Sequence, residues 1–459
     1  MNVLIWYKRD LRVTDHPALC LGAQAEGGAV LPVYIAEPGY WSGPDRSARQ
    51  WAFTAETLEG LRRDLAGLGA PLVVRVGEAV EVLARLCKQH FITRIISHSE
   101  SGTAWAQARD LRVAAWARAA GIDWVVLAQN TGAVLAAPRL RRVVGVEPGV
   151  IPLARALRIA ADPCPHRQTG GRAQAEALLD GFLAHRGANY RLALPSPSAA
   201  ERACSRLSPH LAVGAISGAE VAQALTDRMS ARPDAQWRAS LRAFEARLRW
   251  RDQCCHSAGT GQVLEFEDRA AGAARFKAWE AGETGIPYLD ACMRYLAASG
   301  WLNFQARAML ASVASYQLWL DRKAVGDVLA RRFTDYEPAI HWPQLQALAG
   351  ADVARRLQIF DPVKLGLTHD PSGAFTRRWL PELAAVPDGF LQTPWKWPGA
   401  QRLLGRRYPE PIIDLANAAR DARANMGALR PNNHLRPARA APLLRRTRPA
   451  PAGQLSLEL

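Results

Sequence analysis

The sequence predicts an α/β domain built on a parallel sheet, followed by a second domain that is all α. Three observations predict it. Short apolar runs alternate with longer helical patterns over roughly the first 130 residues, strand signals become rare after Arg186, and a stretch rich in Pro and Gly separates the two regimes. At 459 residues the chain exceeds one ordinary core, and chains of that length divide into domains.

The apolar runs are Val3 to Tyr7, Ala29 to Ile35, Pro71 to Val76, Thr93 to Ser97 and Ile122 to Ala128. Gln50 to Leu68, Ala79 to Phe91 and Thr103 to Ala120 carry helical periodicity between them. Alternation of this kind makes a Rossmann-like parallel sheet with helices on both faces. No GxGxxG follows the first run, so the ordinary dinucleotide fingerprint is absent. Residues 131–185 hold five Pro (138, 148, 152, 163 and 165) and the pair Gly170-Gly171, and read as an interdomain connection with some helix. The expected division is an α/β domain at 1–130, that connection, a helical domain at 186–428 and a basic tail at 429–459. The tail is Arg- and Pro-rich with no acid before Glu458, a composition that favours disorder.

The formal net charge is +16. A polyanion such as nucleic acid is the natural partner for it, although a compositional preference for Arg would give the same excess. Seven cysteines without a CxxC pair argue against a disulfide framework or a zinc site. The first residues form too short an apolar run for a signal peptide, and no stretch reaches the roughly 20 apolar residues of a membrane span. A cytoplasmic monomer without a membrane contact is expected.

Several segments resemble the photolyase/cryptochrome family, in its order: Trp6–Leu19, Cys204–Leu211, Gly285–Arg294, Ser299–Phe304, Phe333–Trp342, Ile359–Pro362, Arg377–Glu382 and Pro394-Trp395. The resemblance implies a photolyase-type α/β antenna domain and a helical FAD-binding domain. The stretch Asp335–His341 looks like a shorter, divergent bacterial branch, some members of which favour lesions in single-stranded DNA.

Residue by residue, the resemblance places Ser205, Arg206, Leu207 and Ser208 on the FAD phosphates, with Tyr190 as an aromatic phosphate ligand. A helix start is the plain alternative for this turn, with Ser208 as N-cap and Pro209 at the first helical position. Arg307, Asp335, Tyr336 and Glu337 fall in the group that holds the flavin ring, where an Arg favours the anionic reduced form. A buried Arg–Asp pair that only packs would use the same residues. His341 matches the position facing flavin N5, where common photolyases carry Asn, and a histidine there can titrate near neutral pH. Trp250 matches the aromatic wall that meets the lesion, and Arg249 and Arg251 flank it as DNA contacts. Trp250 and His341 are thus the two expected catalytic positions. A core Trp between solvated arginines is the alternative for Trp250.

Other family positions have changed. Arg247 stands for a glutamate, Ala308 for Met or His, Ala347 for a second aromatic wall, Leu365 for a DNA-facing Gln and Phe304 for Asn. The three-Trp electron relay falls on Leu345, Arg322 and Arg269, so Trp342, Trp319, Trp301 and Trp279 are candidate substitutes. Trp105-Ala106 at the folate-binding position argues against a folate antenna and leaves the antenna chromophore open. No Cys follows Cys292, which argues against an iron–sulfur cluster.

The resemblance implies light-driven repair of cyclobutane pyrimidine dimers in ultraviolet-damaged DNA, single strands included. Reduced FAD, once excited, donates an electron to the dimer and recovers it after the ring opens. A cryptochrome-like photoreceptor without repair and a non-catalytic DNA-binding flavoprotein are the alternatives. Gln454–Leu459 resembles the short peptide with which bacterial repair proteins dock on the sliding clamp.

Overall fold

The computed structural model describes residues 2–24, 28–100, 102–129, 134–257, 272–348 and 359–429. The Gln454–Leu459 segment, the basic tail beyond 429 and the Arg269 relay position lie outside them.

Five strands form one parallel sheet: β1 (Asn2–Tyr7), β2 (Val30–Ala36), β3 (Val73–Val76), β4 (Ile92–His98) and β5 (Asp123–Leu127), in the order β3-β2-β1-β4-β5. Each corresponds to one of the apolar runs. Strands buried on both faces need apolar residues at every position, and β1 shows why. Val3, Ile5 and Tyr7 enter the core on one face, and Leu4 and Trp6 enter the core on the other. The helices Ala48–Leu68, Ala79–His90 and Ala104–Ala119 pack between the strands in sequence. Gly69, with φ +112°, stops the first of them, as a left-handed C-cap does.

The sheet reverses direction of growth at β1, and such a point opens a crevice beyond the carboxyl ends of the strands. Lys8, Arg9 and Asp10 sit there. In this chain charged side chains enter the crevice, which keeps less than half the empty volume of the cavity described below. Arg109 lies in it between Glu37 (3.1 Å) and Glu100 (2.8 Å). Asp10 meets both His16 and His98 through Oδ2 (3.1 and 2.6 Å). The other ring nitrogen of each histidine accepts a backbone N–H, from Leu19 and Ala18. The nitrogens facing Asp10 therefore carry the hydrogens, and the remaining lone pair of each histidine is taken by a backbone N–H.

After the connecting segment, which includes the helix Arg172–Ala184, the chain is helical. The helix Gly218–Ser230 begins at a capping box, with Ser217 and Glu220 each satisfying the other's backbone N–H. The long helix Ala235–Ser257 and the helices Pro287–Ser299, Phe304–Ser312, Arg322–Arg332 and Pro338–Leu348 complete the frame of the second domain. Its core is one large cluster running from Ala175 to Tyr408. The domains interlock through the end of β1 and the helix Ala48–Leu68. Leu11 N–H donates to Val213, Arg49 reaches the carbonyls of Leu296 and Arg332, and Gln50 those of Ala330 and Phe333. No helix among the described residues is long and apolar enough to cross a membrane.

Candidate cofactor and DNA site

The helical domain holds the largest empty volume of the four cavities described, about 1460 Å³ including its open mouth. It lies between the helices Ala235–Ser257, Phe304–Ser312 and Pro338–Leu348 and the turn at 204–208.

One end of the cavity is polar. Arg206 takes φ +61°, a costly backbone for a residue with a Cβ. Gln168 and Trp301 hold it there. Its Nε donates to Gln168 Oε1 (3.1 Å) while Gln168 Nε2 donates to the Arg206 carbonyl (2.9 Å). Its guanidinium lies 4.1 Å from the ring centre of Trp301. Ser205, Arg206 and Ser208 border the cavity, and so does Tyr190, wedged edge-on against Phe182 and Phe244. Leu207 does not border it; its side chain is in the core, and its N–H donates to Ser205 Oγ at 3.4 Å. The helix starts at Ser208, so the cap falls on Leu207 and not on Ser208. The expected start is thus shifted by one residue.

The deep wall carries Arg307 and Asp335, joined by two parallel hydrogen bonds (Nη1–Oδ1 3.0 Å, Nη2–Oδ2 2.7 Å). Arg307 Nε donates to the Leu302 carbonyl, and its guanidinium stacks 4.0 Å from the ring centre of Phe333. Glu337 turns away from that pair and forks onto Arg9 of the α/β domain (2.8 and 3.2 Å). Arg9 also holds the carbonyls of Ala212 and Tyr336. The sequence reasoning missed Arg9, because its partners lie over 200 residues away. It also missed Asn303, whose Nδ2 donates to the carbonyls of Leu194 and Pro195 while its buried Oδ1 has no partner among the described residues. Both sit inside motifs already singled out, which was the available signal.

His341 borders the same cavity. Its Nε2 lies 2.9 Å from the Gly326 carbonyl, so that nitrogen carries the hydrogen and Nδ1 keeps its lone pair. Burial pushes its pKa down to about 4. The expectation of titration near neutral pH is therefore corrected: the ring is a neutral acceptor throughout that range.

Trp250, half-buried, borders the cavity, and so does Arg247 one helical turn before it. Arg247 stacks 4.7 Å from the ring centre of Phe304. Arg251 borders the cavity and binds the Leu211 carbonyl (2.9 Å), whereas Arg249 is exposed and pairs with Glu245 (3.2 Å). Of the four candidate relay tryptophans, Trp301 borders the cavity and Trp342 packs edge-on against His341 at 5.0 Å. Trp279 is buried in the core beside Phe276, and Trp319 packs on a separate cluster with Tyr316 and Met426.

Residues 3–138 match the family model described as DNA photolyase, and residues 223–428 match the FAD-binding domain of DNA photolyase. The chain belongs to the photolyase/cryptochrome family. A deoxyribodipyrimidine photo-lyase of Streptomyces griseus is 29% identical over 90% of this chain and 97% of its own length. A DASH cryptochrome of Gloeobacter violaceus is 28% identical over 91% and 94%. The crystal structure of a class III photolyase from Agrobacterium tumefaciens superposes with a TM-score of 0.80 at 26% identity, covering 93% of this chain and 97% of that one. The match over 223–428 supports FAD as the cofactor, and the cavity suits it. A dinucleotide brings a diphosphate, amide-like ring edges and sugar hydroxyls. The polar end offers Arg206 and two serine hydroxyls, the deep wall an Arg–carboxylate fork, and Asn303 Oδ1 an unmatched acceptor.

Proposed function

We propose that this family member repairs cyclobutane pyrimidine dimers in DNA under light. One observation carries the reading: the cavity suited to FAD is lined by a half-buried Trp250 and the cation Arg247. An aromatic face with a neighbouring positive charge is what a base pair turned out of the stack requires. Bound FAD supplies light-driven one-electron donation. The protein's share is binding and electrostatics. Ser205, Arg206, Ser208 and Tyr190 hold the phosphates, with Leu207 fixing the turn from the core. Arg307 and Asp335, with Tyr336 beside them, hold the ring, and Glu337 at the cavity's edge ties Arg9 of the α/β domain to it. His341 offers the ring one fixed acceptor. Trp250 stacks on the lesion, and Arg247, Arg249 and Arg251 meet its phosphates.

A second reading, a photoreceptor without turnover, is favoured by Ala308 and Ala347 at lesion-facing positions and by the similar identity to a DASH cryptochrome. Illumination of dimer-containing oligonucleotides, single- and double-stranded, separates the two. Light-dependent loss of dimers is expected on at least one substrate, and no loss on either leaves the photoreceptor. Trp250→Ala should lower the preference for damaged DNA while the salt dependence, set by phosphate contacts, stays nearly unchanged. Equal loss of both would make Trp250 a packing residue.

A further inference from the structure

Tyr336 stands where the two domains meet. It borders the flavin cavity, and its ring lies edge-on to His341 at 5.3 Å. Its hydroxyl accepts the indole N–H of Trp342 (2.9 Å) and donates to Oδ2 of Asp45 (2.7 Å). Asp45 comes from the α/β domain, 291 positions away in sequence. Its side chain retains 13% exposure, enough to exchange a proton with solvent. Arg46 lies 3.6 Å from Asp45 Oδ1, and its guanidinium is 5.0 Å from the Tyr336 ring centre.

These contacts have a redox meaning. A phenol resists losing an electron while it must keep its proton, because the oxidised phenol is a strong acid. A carboxylate already hydrogen-bonded to the O–H removes that obstacle, and 2.7 Å is within the range a proton acceptor needs. Burial raises the pKa of the Tyr336 hydroxyl, so the resting group holds its proton ready to give. Two of the three positions matching the family's tryptophan relay hold Leu345 and Arg322, neither of which can lose an electron.

We infer that Tyr336 is a light-driven electron donor to the flavin of this cavity, with Asp45 as the base that takes its phenolic proton. The inference rests on the reading of the cavity as the FAD site. Tyr336 gives one electron to photoexcited oxidised flavin; its O–H bond breaks, the proton passes to Asp45 Oδ2, and a neutral phenoxyl radical remains. An external thiol returns a hydrogen atom to that radical, and Asp45 releases its proton to solvent. The indole N–H of Trp342 keeps the phenolic oxygen oriented through the cycle.

The test uses FAD-loaded protein illuminated with a thiol, its flavin content measured first by absorbance. Protein containing ring-deuterated tyrosine is frozen under light and examined by electron paramagnetic resonance. A phenoxyl radical whose hyperfine pattern collapses on deuteration is expected. Compared at equal FAD content, Tyr336→Phe should lose that signal and photoreduce at least about tenfold more slowly. Asp45→Asn keeps an acceptor but no base, and should also slow photoreduction, with Asp45→Glu restoring it. An unchanged rate in Tyr336→Phe, or a tryptophan radical in place of the tyrosine signal, overturns the inference with the FAD site intact. Protein that cannot be loaded with FAD would instead remove the cavity reading beneath it.

Discussion

At the scale of single residues, the Arg307–Asp335 fork decides most. Asp335 keeps only 3% side-chain exposure, so removing it strands a cation against the cavity wall. Breaking a buried pair in this way costs about 3–5 kcal/mol, and part of that falls on cofactor binding because the fork lines the cavity. Asp335→Ala should purify with most of its FAD missing, read from the ratio of flavin to protein absorbance; full occupancy would put the cofactor elsewhere. This pair was legible in the sequence because both residues lie in recognisable motifs and are chemically matched. The tautomer of His341 was not legible. It depends on the Gly326 carbonyl, a backbone atom of another helix that no pattern of side chains reveals. The pairing of Glu337 with Arg9, and of Tyr336 with Asp45, escaped for a related reason: each joins one domain to the other.

At the scale of elements, periodicity carried the reading of the sheet, since strands buried on both faces leave unbroken apolar runs. Helix ends were less legible, as the one-residue shift at Ser208 shows, because local capping competes with the tertiary frame. The π-helical turn at Val313–Gln317 had no signal in the sequence at all. Gly214, which ends the helix Ser208–Val213, shows how an element is tied to the site. It takes φ +73°, and a Cβ there would stand 2.4 Å from the Arg9 carbonyl oxygen and 2.6 Å from Asp10 Cα. Both obstacles are backbone, so neither can swing aside. The close approach lets Arg9 reach across to Ala212 and Glu337. Gly214→Ala should therefore lower the melting temperature, with backbone strain alone worth about 1–3 kcal/mol. It should also weaken FAD retention, since Leu211 and Ala212 of this helix border the cavity. Calorimetry with flavin content checks both, and a variant as stable and as yellow as the parent would show that the interface yields there.

At the scale of the whole molecule, stability against acid is a contest between buried groups of opposite sense. Burial pushes His16, His210 and His341 each down to about 4. The unfolded chain takes up those protons near pH 6.5, so each histidine removes stability as pH falls from about 6.5 to about 4. Burial acts in reverse on two carboxyls, raising Glu37 to about 7 and Asp290 to about 6. There the folded state binds the proton first, so each adds stability as pH falls from its folded value toward about 4. The weaker shifts of His369, lowered, and Asp64, raised, oppose each other in the same way. Three histidines against two carboxyls leave about one proton in favour of the unfolded state. Stability therefore falls with pH through the middle of this window. Below about 4 the loss should steepen, because Glu100, held down to about 2 by Arg109 against its burial, then begins to lose its charge. Asp290→Asn tests the balance. Thr284 and Tyr408 donate to opposite oxygens of Asp290, so the amide keeps an acceptor for one of them only, and it removes one of the two carboxyls that offset the histidines. Denaturant unfolding measured between about pH 7 and 4 should show the slope with pH roughly doubling in this variant, whatever its stability at pH 7. An unchanged slope would mean that Asp290 is already ionised in the folded protein, its four hydrogen bonds from Thr284, Gly285 and Tyr408 outweighing burial.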